Sequence, residues 1–136
     1  MSEPTHPWCW AITPHLWYQQ YPKRFTDADI RGFLAFLEEK VPTLPTPYAW
    51  IVDTGGLLRA NRAQRAMLAA YGEKTEAHDR EHSAGAAIVA HGLLARGAVK
   101  SAYFVNPPVY PYAVFGAVPE AEAWARAQLR KRGVDA

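Results

Sequence analysis

The sequence predicts an α/β protein with a single mixed sheet. An antiparallel hairpin opens it, parallel strands follow, and about four helices cover it. Three observations carry this reading. The apolar run Gly85-Ala86-Ala87-Ile88-Val89-Ala90 leads into Leu93-Leu94-Ala95. Tyr112-Ala113-Val114-Phe115 leads into Pro119-Glu120-Ala121-Glu122-Ala123-Trp124. Tyr48-Ala49-Trp50-Ile51-Val52, apolar at successive positions as a strand buried on both faces must be, is also followed by a helical pattern. A strand followed by a helix, three times over, implies parallel neighbours joined by crossovers.

Each element has its own signature. Residues 1–7 are polar and contain two prolines, so they are expected to form a poorly ordered lead to one domain spanning 8–133. Trp8, Trp10 and Ile12 alternate with Cys9 and Ala11, and Leu16, Tyr18 and Gln20 alternate with Trp17, Gln19 and Tyr21. Period two on both sides of a short gap is a hairpin signal. Thr26 can cap a helix, with Asp29 at the capping-box position. Ile30, Phe33, Leu34, Leu37 and Val41 then recur at helical spacing, until Pro42, Pro45 and Pro47 stop the helix.

After the Tyr48 run, Asp53-Thr54-Gly55-Gly56 reads as a turn. Asn61 can cap a second helix with Ala63, Met67, Ala70 and Tyr71 on one side. Gly72 is expected to break or bend that helix, and the charged stretch 73–82 to be its solvated end or a loop. The last helix has Pro119 near its start, Glu120 and Glu122 in its first turn, Arg130, Lys131 and Arg132 in its last, and Gly133 beyond. These choices agree with the peptide dipole and with the end preferences of proline and glycine.

Composition narrows the function. The chain has 136 residues, 49% hydrophobic and 21% charged, enough for one packed core. Fifteen Lys and Arg against thirteen Asp and Glu give +2, too balanced for an electrostatic nucleic-acid binder. Cys9 is the only cysteine, so no intramolecular disulfide can form. No run approaches the ~20 apolar residues of a membrane span. The N-terminal residues lack the basic and apolar regions of a secretory signal, so a cytoplasmic protein is expected.

The element order ββαβαβαβα resembles the STAS domain, the anti-anti-sigma-factor fold, and especially its divergent bacterial STAS-like relatives. The resemblance runs from about Trp10 to Leu129. It is carried by Ile51-Val52-Asp53 with Gly56-Leu57, by the Asn61-to-Tyr71 helix, by Gly85-to-Val89, and by Val114-Phe115 with Glu120-Ala121 and Trp124. It implies a regulatory interaction module. Anti-anti-sigma factors carry an Asp-Ser pair at the corresponding helix start, and that serine is phosphorylated. Here the pair is Asn61-Arg62, so the resemblance does not extend to the phospho-switch.

Candidate chemistry centres on Asp53. Open α/β sheets bind ligands outside the carboxyl ends of their strands. The same aspartate could instead cap its own turn through the N–H groups of Gly55 and Gly56. Arg59, Arg62 and Arg65, spaced by three, could hold an anion or form a solvated face. His78 and His82 share a helix face, but a zinc site needs a third ligand, and only His91 or Glu81 is near in sequence. Cys9, between two tryptophans and without a neighbouring cation, reads as buried.

The primary expectation is a non-enzymatic regulatory or scaffolding module that docks a protein partner or a second copy of itself. Its interface would be Trp8, Trp10, Trp17, Tyr18 and Tyr21, aromatic residues suited to docking faces and to cores alike. The alternative is a binder of a small apolar or anionic ligand at Asp53, Thr54, Arg62, His91 and Tyr110. A hydrolase-type activity would need His82 or His91 as base, and the sequence shows no partner for either. Neither metal nor cofactor is expected.

Overall fold

The structure is a computed structural model and describes residues 5–135. Its strands are β1 (Cys9–Thr13), β2 (Leu16–Gln20), β3 (Tyr48–Asp53), β4 (Ser83–Val89) and β5 (Tyr112–Phe115). Its helices are α1 (Asp27–Lys40), α2 (Arg62–His82), α3 (Leu93–Val105) and α4 (Val118–Lys131). The five strands form one sheet in the order β1-β2-β3-β4-β5. β1 and β2 are antiparallel, and every later pairing is parallel. This is the mixed sheet with four helices that the periodicities require.

The strand order decides the layers. From β2 to β5 each crossover steps to the next strand in the same direction. Crossovers of one hand therefore put α1, α2 and α3 on one face. That face holds Ile30, Phe33, Leu34 and Leu37 of α1, Met67, Leu68 and Tyr71 of α2, and Val99 of α3, packed on Trp50, Ala86 and Ile88. The opposite face has α4 alone, with Ala121, Ala125 and Leu129 packed on Ala49, Ile51, Ala87 and Val89. Among the described residues no helix covers the β1 end of this second face, and Trp10 is left exposed there.

Two helices start as their sequences require. Thr26 and Asp29 form a reciprocal capping box on α1, and Asn61 and Gln64 form one on α2. The α2 box is also tied to α1, because the Asn61 and Gln64 side-chain amides both donate to Asp27 Oδ1, at 3.0 and 2.9 Å. Two expectations are corrected. α2 runs unbroken through Gly72, while the charged stretch to His82 is its solvated end, one of the two expected outcomes. A single helical glycine costs about 1 kcal/mol, and the far half of α2 is anchored where the Tyr48 hydroxyl donates to Asp79 at 2.7 Å. The packed chain also begins earlier than expected. Residues 1–4 lie outside the described residues, but His6 bridges to Cys9 and its ring packs on Trp8, Phe33 and Phe36.

Gly55 and Gly56 are dictated by this turn. The chain after β3 passes so close to the end of β2 that a Cβ on Gly55 would enter the Tyr21 carbonyl, and one on Gly56 the Lys23 carbonyl. Gly55 also has φ 49°, a left-handed conformation that glycine adopts without cost.

Candidate functional site

Two of the five expected ligand residues meet. Asp53 ends β3, and two residues past the end of β4 stands His91. Asp53 pairs in register with Val89, so parallel strands bring the two side chains to the same end of the sheet. His91 Nε2 lies 3.2 and 3.3 Å from the two Asp53 carboxylate oxygens. The same carboxylate accepts the Gly55 N–H at 3.2 Å and lies close enough to the Tyr18 hydroxyl to act on it electrostatically. Burial, and then the Asp53 charge, raise the Tyr18 phenol above its ordinary range. Trp10 stacks on Tyr18 with ring centroids 4.8 Å apart and planes 14° apart. Asp53 is therefore both a turn cap and the holder of an imidazole that is 61% exposed.

The other three residues stand apart from this pair. Thr54 is buried, and its N–H and its hydroxyl both donate to the Val89 carbonyl at 3.0 Å, tying β3 to β4. Arg62 is exposed at the first residue of α2, beyond the capping box that engages α1. Within its stripe Arg65 donates to the Ala60 carbonyl at 2.6 Å, and Arg59 and Arg62 are exposed. Tyr110 is placed at the opposite end of the sheet. β5 runs parallel to β4, so the residues before β5 lie at the strands' amino ends, where the Pro111 carbonyl accepts the Ala86 N–H. Tyr110 packs into the three-helix side, and burial drives its phenol strongly upward.

The hairpin aromatics do not form one exposed face. Tyr18 and Tyr21 are buried. Trp8 packs on Tyr21, Phe25 and Phe33 in the core. Trp17 is half-buried against Trp50, with the Lys40 ammonium 5.2 Å from its ring centre. Of the five, Trp10 alone is exposed, at 41%. Strand alternation is the reason: neighbouring residues of β1 and β2 point to opposite faces, so a run of aromatics is split between two layers.

His78 and His82 have ring centroids 4.6 Å apart, and His78 stacks on Tyr48 at the strands' amino ends. His91 lies at the carboxyl ends, so the three do not converge. Among the described residues no group of three or more His, Cys, Asp and Glu side chains stands close enough to hold a metal. Cys9 is buried as expected, and burial pushes its thiol up to about 12. Two grooves of about 260 and 320 Å³ indent the surface, one between α1 and α2 and one beside β1. Neither is lined by Asp53 or His91.

The most exposed apolar surface lies on α3. Leu93, Leu94, Phe104 and Val105 are 82%, 92%, 87% and 84% exposed. Val99 is the only buried residue of the helix. Leu94, Gly97, Ser101 and Phe104 follow one another at spacings of three, four and three, which is one helix face, and that face is turned away from Val99. The spacing is visible in the sequence; which side meets the sheet is not. Comparison with protein-family models, with curated proteins and with solved structures finds no match to this chain.

Proposed function

We propose that the chain is a non-enzymatic regulatory or scaffolding module of STAS-like type, and that it docks another protein helix through the outward face of α3. One observation carries this reading. Four large apolar side chains, each more than four-fifths exposed, share one short helix that is seated by a single buried residue. A single exposed apolar residue needs no explanation, whereas four on one helix, paired at its two ends, point to an interaction surface. In a module of this type Asn61-Arg62 in place of Asp-Ser leaves the docking face as the functional element. The occupant is a helix and not lipid. Gly97 and Ser101 hollow out the centre of the face, which admits a second backbone, whereas a lipid-binding helix presents bulk there and a basic polar face.

The test is Leu94→Glu combined with Phe104→Glu in the full chain. At a concentration that keeps both proteins monomeric the double variant should melt at the wild-type temperature. It should differ from wild type in sedimentation behaviour at higher concentration or in binding of the apolar dye ANS. Identity with wild type in both measurements would overturn the reading.

The Asp53–His91 pair favours a second reading, a small anionic ligand bound at the carboxyl ends of the strands. A buried carboxylate orients an exposed imidazole there, and the Trp10–Tyr18 stack adjoins it. Perturbation of the His91 ring resonances by inorganic phosphate or acetate, absent in Asp53→Asn, would support it.

A further inference from the structure

We infer that the occupant of the α3 face is a second copy of this chain, with the two α3 helices packed parallel about a two-fold axis. This rests on the docking reading above and names its partner.

The seam is written in the helix. Leu94, Gly97, Ser101 and Phe104 occupy the positions a, d, a and d of a heptad, the repeat by which one helix packs on another. Val99 falls at position f, directly opposite, and with Ala95 and Tyr103 it seats the helix on the domain. The seam therefore faces outward along its whole length. Leu93 and Lys100 occupy the g positions, and Ala98 and Val105 the e positions.

Area favours self-pairing. A large apolar side chain presents roughly 100–200 Å². Four of them on each of two copies contribute on the order of 1,000 Å², about what a specific interface must bury. A second copy supplies the matching four by symmetry, since a two-fold contact uses the same patch twice.

Charge sets the direction. In an antiparallel pair g faces g, and Lys100 would meet its own counterpart. In a parallel pair g faces e of the other copy. Lys100 then lies beside Val105, where its methylene stem covers apolar surface and its ammonium reaches water. Leu93 lies beside Ala98. Gly97 and Ser101 meet their own counterparts at the centre, where small side chains let the helices come close.

Two measurements on the full-length chain test this. By sedimentation equilibrium, wild type should be a reversible dimer at micromolar concentration. Leu94→Glu or Phe104→Glu should weaken it by about 100-fold or more, the effect of burying an unpaired charge, with a melting temperature unchanged once both proteins are dilute enough to be monomeric. Ser101→Cys should form a disulfide-linked dimer under mild oxidation, and Ala102→Cys, off the seam, should not. The buried Cys9 thiol gives no background. Wild type remaining monomeric at about 100 µM, a concentration far above the Kd such an interface implies, would overturn self-pairing. In that event ANS binding lost in the Glu variants would retain the docking face for another protein, and ANS binding unchanged would remove both. A dimer that persists without the Ser101→Cys link would overturn the parallel seam.

Discussion

The imidazole of His91 stands against both oxygens of the Asp53 carboxylate, at 3.2 and 3.3 Å, across the carboxyl ends of β3 and β4. The carboxylate is nearly enclosed and the imidazole is mostly in water. The two partners therefore contribute unequally to the fold. Asp53→Ala strands the Gly55 N–H as well as His91, and should cost about 1–3 kcal/mol. His91→Ala should cost less than about 1 kcal/mol, because an exposed partner is screened. Urea denaturation of both variants checks this; equal losses would show that the His91 contact, and not the turn, is what Asp53 supports.

Gly56→Ala should destabilise by about 2 kcal/mol or more, since its Cβ would press on backbone that cannot rotate away. Gly97→Ala, where an added Cβ meets nothing within 4 Å, should stabilise the monomer by up to about 1 kcal/mol through helix propensity. Thermal melts at a concentration low enough to keep the chain monomeric would show the opposite signs.

The Cys9 thiol should resist alkylation in the native state. With its ionisation pushed up to about 12, the nucleophilic thiolate is scarce at pH 8, and the sulfur is buried. Iodoacetamide labelling followed by mass spectrometry should give unmodified protein natively and full modification in guanidinium. Rapid native labelling would show that β1 opens.

Alkali should unfold the domain through its tyrosines. Burial raises the phenols of Tyr21, Tyr48, Tyr71, Tyr103 and Tyr110 in the folded state. The unfolded chain ionises them near pH 10. Below that pH both states are protonated and stability is complete. As pH rises past 10 the unfolded state releases more protons and stability falls. Phenolate absorbance should therefore rise steeply together with loss of the circular-dichroism signal, and a gradual rise in an intact fold would contradict the burial.

The fold was legible where side-chain period and end chemistry agreed. Thr26 with Asp29 and the alternation around Trp10 and Tyr18 each correspond to an element found in place. Gly72 misled because local propensity was set against tertiary anchoring by Tyr48 and Asp79, which lie 31 residues apart. Asp53 was legible as a strand end, but its partner was not: only the register between β3 and β4 brings His91 to it. Tyr110 was misplaced for the same reason, since a residue before a parallel strand lies at the end opposite to one that follows it. On α3 the sequence is apolar nearly all round, from Leu93 to Val105, so periodicity could not say which stripe meets the sheet. Val99 decides it.

β4 is Ser83-Ala84-Gly85-Ala86-Ala87-Ile88-Val89, and every one of its residues is buried. Five of the seven have side chains no larger than a hydroxymethyl group, so helices on both sides are drawn in until Trp124 rests on Gly85. A layer this thin leaves no slack: one added methyl group in the spine must displace something above or below it. The outer helix can be rewritten for a new partner with little effect on the spine. Variation in this molecule should therefore accumulate at its rim while β4 stays small.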